Sequence, residues 1–342
     1  MTGPSPTHWD DPQLLPPHRG TGWSIWNGRE IVCTDARDAA RRLRHWNPTH
    51  ATFIASPGAP RFVPPPDDPD IGPKVLSGFL GRTRFGIAAA AAAALAFSLL
   101  SLMLPGHAAI GMACIAAAIA GLGLCDYRLA FVTATGAADR SRYFFWLRAE
   151  PRVLRGLTLW AMLFAGAGAM QWLLVAEHGF EATVTSYGLV YAAARGGEWW
   201  RLATGPPLHA SLADFLNNAV SACFLGAMSW PAFGFRSIAV FALASSFGAL
   251  SQMLGGDPAF DTYLGVSGGV FGLYGLIVIT GLRVPRFLPR GMPTLLCGIG
   301  LISGLGASLL ASNAAVVAHL AGFAVGAAAG LALTPAGSVA DS

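Results

Sequence analysis

Between Gly265 and Gly272 the chain reads Gly-Val-Ser-Gly-Gly-Val-Phe-Gly, and this stretch is the one best suited to chemistry. Glycines flanking Ser267 clear the bulk that would hold a substrate backbone away. They also leave nearby N–H groups free to bind an oxyanion at a helix start. A serine hydroxyl is a weak nucleophile until a base takes its proton. His319 is the candidate base, and it is followed by Gly322 and Gly326. That GxxxG spacing lets two helix backbones press together. If the partner helix carries Ser267, imidazole and hydroxyl come within hydrogen-bond reach. Each residue also has an ordinary explanation. A serine in an apolar helix commonly returns its hydroxyl to the carbonyl one turn back, and small residues commonly serve packing. Pairing makes sense of both residues at once.

Long apolar spans must carry these groups. Charged residues make up 12% of the 342 residues and hydrophobic ones 54%, against about 25% charged in an ordinary soluble domain. From Phe85 onward the apolar residues gather into eight spans, each of roughly 17–21 residues, the length that crosses a hydrocarbon core about 30 Å thick. Two spans, 85–104 and 107–124, form a hairpin around Pro105-Gly106. Six more follow a polar stretch, at 156–176, 211–230, 237–254, 264–282, 294–311 and 314–334. The expected fold is an all-α polytopic membrane protein: a six-helix core preceded by a two-helix membrane hairpin and a small N-terminal cytoplasmic α/β element. The expected regions are 1–84 (cytoplasmic), 85–124 (accessory hairpin), 125–155 (cytoplasmic loop), 156–334 (core) and 335–342 (tail). Within the first, residues 1–20 are expected to be disordered and a β-α-β element to occupy 29–34, 35–46 and 51–56. Thr34 or Asp35 would cap its helix. The stretch 57–73, with seven prolines, reads as a linker.

Arginines set the orientation. They crowd the stretch before the core (Arg128, Arg140, Arg142, Arg148, Arg152, Arg155) and recur at Arg236, Arg283, Arg286 and Arg290, whereas the alternate connections lack them or are mixed. Both termini are therefore expected in the cytoplasm, and no apolar segment near Met1 resembles a signal peptide. Spans two, four and six then start on the external face. This gathers Ser267, His319, His209, Asp214 and Asn218 into one layer, roughly 5–12 Å below that surface at the helical rise per residue. Polar groups at one depth inside a bilayer ordinarily face a bundle interior or a water-filled cavity. The formal charge of +4 reads as topology and not as nucleic-acid binding, and the five cysteines show no metal-ligand spacing. Gln171 and Trp172 fit an interfacial belt.

Over about residues 156–334 the chain resembles the rhomboid family of intramembrane serine proteases. The matching pieces are Gly265-Val266-Ser267-Gly268, Ala318-His319-Leu320-Ala321-Gly322 with Gly326, Glu198-Trp199-Trp200-Arg201, and Leu208-His209-Ala210-Ser211 through Asn218. The resemblance implies a serine endopeptidase cutting transmembrane helices of other membrane proteins near the external leaflet. Ser267 would be the nucleophile and His319 the base, with no third acidic member. Asn218 and the Ser267 backbone N–H would bind the oxyanion. His209 would structure the cavity mouth, and Trp200 with Arg201 would anchor a long external loop lying partly in the membrane. No metal or other cofactor is implied; the partners are transmembrane substrates and the lipid bilayer, and the setting suits a bacterial inner membrane. Two positions depart from the pattern. Asp214 stands where many relatives have a second histidine beside the oxyanion; it would be protonated, point to water, pair with another group, or merely cap the helix. Phe271 stands where relatives often have tyrosine, keeping the ring that stacks on the histidine. Two other classes compete: a catalytically inactive relative that binds transmembrane helices, and a transporter. A transporter site is expected nearer the midplane.

Overall fold

The computed structural model describes residues 8–103, 107–131, 134–256, 260–310 and 315–336. The expected turns at Pro105-Gly106 and Ser312-Asn313, residues 1–7 and the end of the tail lie outside them. The chain forms two units, 1–150 with 285–298, and 151–284 with 299–342.

The first unit begins with a hairpin that the sequence reading missed. Strand β1 (Ser24–Trp26) pairs antiparallel with β2 (Glu30–Val32), Ile25 opposite Ile31. The turn between them is the three residues Asn27-Gly28-Arg29, with Gly28 at φ 104°. Asn-Gly between two apolar runs is the usual sign of such a turn, so the signal was present. Helix α1 (Ala36–Arg42) is capped by Asp35, whose side chain accepts from the Asp38 N–H at 2.7 Å. Strand β3 (Phe53–Ala55) then pairs with the other edge of β1, giving the order β2-β1-β3. The overlooked strand is thus the centre of the sheet.

Helix α2 (Gly72–Met103) runs 32 residues, 13 residues further back than the apolar span alone suggested. Ile71, just before it, and Val75 and Phe79 of its first turns join the core formed by Ile25, Leu43, Trp46 and Ile54. Two expectations fail here. Residues 8–20 are packed, with Trp9, Leu15 and His18 buried. The proline-rich stretch is packed as well: Phe62 is buried and Val63 exchanges backbone hydrogen bonds with Ile54. Composition pointed to disorder, but a few spaced aromatic and aliphatic anchors are enough to fasten an extended proline-rich chain.

Helix α3 (His107–Asp126) completes the hairpin pair, and a short π-helix (Tyr127–Phe131) follows it. The expected cytoplasmic loop instead contains helix α4 (Ala134–Ala149). Arg140, buried, donates to Asp126 at 2.7 Å and lies over the Phe131 ring at 4.7 Å. Its charge, which read as a loop signal, is satisfied internally.

The second unit opens with α5 (Pro151–His178). The connection after it is structured: α6 (Phe180–Tyr187), β4 (Leu189–Val190), α7 (Tyr191–Arg195) and α8 (Arg201–Thr204). Helices α9 (Leu212–Phe233) and α10 (Phe235–Gly255) follow, then β5 (Thr262–Tyr263), which pairs with β4. Helices α10, α11 (Ser267–Arg283) and α13 (Val316–Ala332) all pack against one another, and α5 lies along α9. Helix α12 (Met292–Leu310) belongs partly to each unit. Among the described residues four helices, α2, α3, α5 and α10, are long and apolar enough on their own to cross a membrane. At 17 residues each, α11 and α13 are about 25 Å long and shorter than the hydrocarbon core. The protein is an integral, multi-pass membrane protein of the expected all-α class.

Candidate active site

Helix α11 starts where a glycine lets it. Gly265 sits at φ 104°, a region that side-chain-bearing residues avoid, and its N–H donates to the Leu208 carbonyl at 2.6 Å. Val266 then takes the N-cap position, and Ser267 is the first helical residue. The sequence placed it three residues deeper because hydropathy does not register the turn. As first and second residues of the helix, Ser267 and Gly268 have N–H groups with no carbonyl one turn back. Tyr263 is buried with its hydroxyl beside the Ser267 side chain and the Gly268 N–H.

His319 reaches this point because α13 touches α11 backbone to backbone. A Cβ added at Gly322 would stand 2.0 Å from the Gly268 carbonyl oxygen, and one at Gly326 would stand 1.8 Å from that of Gly272. No side chain fits either place. The Gln252 side chain on α10 accepts from the Ala318 N–H at 3.2 Å, fixing the start of α13. Within this seam His319 Nε2 lies 2.9 Å from Ser267 Oγ. The Phe271 ring stacks on the imidazole, centroids 4.4 Å apart and planes 12° apart. His319 Nδ1 is buried without a hydrogen-bond partner. The ring is therefore aimed by stacking and helix packing, with no carboxylate behind it among the described residues. Gly304 of α12 closes the far side, since a Cβ there would stand 2.7 Å from the Phe271 ring.

The start of α9 supplies a second polar group. Ser211 caps the helix, its hydroxyl accepting from the Asp214 N–H at 3.2 Å. Asn218 is buried one turn further on. Its amide nitrogen donates to the backbone carbonyl of Asp214 at 3.0 Å and to Asp214 Oδ1 at 2.8 Å. A primary amide carries two hydrogens, so both are taken. The expected oxyanion donor is thus engaged by the residue that departs from the family pattern. Asp214 Oδ2 lies 3.6 Å from the position of a Cβ on Gly265, beside the turn that delivers Ser267.

His209 is buried, with Nδ1 3.0 Å from the Pro207 carbonyl and its ring edge-on to Phe215. Gln171, which by sequence fits an interfacial belt, has a specific partner. It brackets the His209 backbone, donating to its carbonyl at 2.8 Å and accepting from its N–H at 3.0 Å. An amide inside an apolar span was the signal for both Gln171 and Gln252. Nothing local in the sequence named their partners, and Tyr263 and Gly304 were likewise missed. Trp200 and Arg201 stand apart from the dyad. Arg201 is buried, donating to Glu198 at 2.7 Å and to the Gly188 carbonyl at 2.7 Å, with its guanidinium over Trp200. They brace the segment whose strand β4 pairs with β5, four residues before Ser267.

Residues 196–336 match the family model of the Rhomboid domain. Over 145 residues, 42% of this chain and 70% of the relative, the sequence is 30% identical to a protein of Bacillus subtilis (strain 168) named "Putative rhomboid protease YdcA". The chain belongs to the rhomboid family. Ser267 and His319 both fall inside the matched rhomboid region, as do Trp200, Arg201, His209, Asp214 and Asn218. Helix α5 and the first 150 residues precede it.

Proposed function

We propose that this rhomboid-family protein is an intramembrane serine endopeptidase that cleaves transmembrane helices of other membrane proteins near the external leaflet. The observation that carries the reading is the 2.9 Å contact between His319 Nε2 and the Ser267 hydroxyl. Nucleophile and base at that distance are poised for proton transfer. Ser267 Oγ attacks the scissile carbonyl while its proton passes to Nε2, and the carbonyl π pair moves to oxygen. His319 then returns the proton to the leaving amine as the C–N bond breaks. Water repeats the sequence on the acyl-enzyme. The oxyanion is met by the N–H groups at the start of α11, and by Asn218 once the substrate oxygen displaces its contact with Asp214, each such donor being worth about 10²–10³ in rate. His209 and the Trp200–Arg201 brace shape the mouth, and Gly265 admits the substrate backbone; Gly268, expected to do the same, instead serves helix packing, a Cβ there standing 3.1 Å from the Ala244 carbonyl oxygen.

Arginine placement supports cytoplasmic termini and an external active-site face, in a bacterial cytoplasmic membrane. Because α11 begins at Ser267 and spans only about 25 Å, the nucleophile would sit below the outer surface, where a helix unwinding from the bilayer can reach it. One observation favours a second reading, an inactive helix-binding relative: both Asn218 hydrogens are held by Asp214.

Labelling by a fluorophosphonate probe in detergent separates the two. The wild type should label, and Ser267→Ala and His319→Ala should each lose at least about 10³-fold in rate. A folded wild type that never labels would leave the binder.

A further inference from the structure

Tyr263 carries a polar group that the mechanism above does not use. Only 4% of the residue is exposed, and its hydroxyl has no hydrogen-bond partner. A buried hydroxyl left unpaired is unfavourable. Phenylalanine would fill the same space without that cost, so the oxygen needs a reason to be there.

The surroundings of Tyr263 aim its ring. It stands opposite Leu189 in the β4–β5 ladder. It shares a core cluster with Leu189, with Ala249 of α10 and with Ala318 of α13, the residue before His319. Two residues further on the chain turns at Gly265 and then starts α11. The phenol is thereby held against the helix start, its oxygen beside the Ser267 side chain and the Gly268 N–H.

The other side-chain donors around the nucleophile are committed. Asn218 gives both amide hydrogens to Asp214. His209 turns Nδ1 to the Pro207 carbonyl, which can only accept, so a neutral ring has no hydrogen on Nε2. The Ser267 hydroxyl faces His319 Nε2 at 2.9 Å. The rotatable O–H of Tyr263 is left over.

Resting on the proteolytic reading above, we infer that Tyr263 is a catalytic residue whose phenolic O–H donates to the oxyanion, beside the N–H groups at the start of α11. As the bond from Ser267 Oγ to the carbonyl carbon forms, negative charge gathers on the carbonyl oxygen. That oxygen becomes the acceptor which the resting phenol lacks. The Tyr263 proton stays on its own oxygen, and the proton that moves is the one passing from Ser267 to His319. A donor unpaired in the ground state and paired in the transition state stabilises the second alone, which raises rate rather than affinity. It also answers the observation that favours an inactive relative, because a side-chain donor stays free while Asp214 holds Asn218.

The test is fluorophosphonate labelling of the full chain in detergent, as a function of probe concentration, for wild type and Tyr263→Phe, with melting temperatures measured alongside. In labelling, Ser267 Oγ bonds to phosphorus, fluoride leaves, and the phosphoryl oxygen takes the place of the oxyanion. Tyr263→Phe keeps the ring and deletes only the O–H. Its saturated labelling rate should fall by about 10²-fold, at an unchanged half-saturating probe concentration. Its melting temperature should equal or exceed that of wild type, since an unpaired buried hydroxyl has been removed. A saturated rate within about threefold of wild type overturns the assignment, as does a loss confined to the half-saturating concentration. A slower variant with a lower melting temperature overturns it too, and makes Tyr263 a packing residue. In each of these cases Ser267-dependent labelling of the wild type leaves the proteolytic reading standing. A folded wild type that never labels overturns both.

Discussion

Ser267 and His319 are held by helices whose backbones touch, whereas Asn218 and His209 are held by hydrogen bonds between side chains and backbone. On the first side, glycines 322 and 326 rest against the carbonyls of Gly268 and Gly272, and nothing there can be exchanged for water. On the second, Gln171 brackets His209 and Asp214 holds Asn218, contacts that a substrate amide or a water can replace. The difference teaches that Ser267 and His319 are fixed parts, while the side that holds Asn218 and His209 is adjustable. Close packing resists sub-ångström change; a hydrogen bond of about 1 kcal/mol net is easily traded.

The largest expected effect is at the seam. Gly322→Leu would drive a side chain into the Gly268 backbone, where even a Cβ lies 2.0 Å from oxygen. Overpacking of this kind costs about 1–3 kcal/mol or more, and the helices must part to relieve it. Labelling of Ser267 should fall by at least about 100-fold, with a lower melting temperature, because moving reacting groups by about 1 Å is that costly. A variant that keeps its rate would show that the dyad is not held by backbone contact.

An intermediate effect belongs to Phe271, which stacks on His319 at 4.4 Å. Phe271→Ala removes a ring contact worth about 0.5–1.5 kcal/mol and should slow labelling by about tenfold. Phe271→Tyr should be nearly neutral. Equal loss in both would mean that bulk against Gly304, rather than stacking, sets the ring.

The smallest effect on the dyad is expected from Gln171→Ala. It deletes both contacts to the His209 backbone and should lower stability by about 1–3 kcal/mol, read as a drop in melting temperature. Labelling of Ser267 should change less than about threefold, since this is the adjustable side and backbone geometry at α11 is untouched. Were it to match Gly322→Leu, the distinction between a fixed and an adjustable side would collapse.

The sequence by itself determined the long apolar helices, the two residues, Ser267 and His319, that the fold brings together, and the seam that joins them. Apolar length is dictated residue by residue by the bilayer, and two glycines four residues apart mark a helix that can be approached closely. Those are local properties. Even the Asn27-Gly28 hairpin was written locally and simply overlooked. The tertiary structure decided the rest, because a polar group does not announce its partner. Asn218 could face an oxyanion or turn back one helical turn, and both hydrogens go to Asp214. Gln171 reads as an interfacial residue until the His209 backbone, 38 residues away, is placed beside it. The proline-rich residues around Phe62 and the charged stretch around Arg140 look like solvent-exposed chain. Anchors distant in sequence bury both, and only folding brings those anchors together.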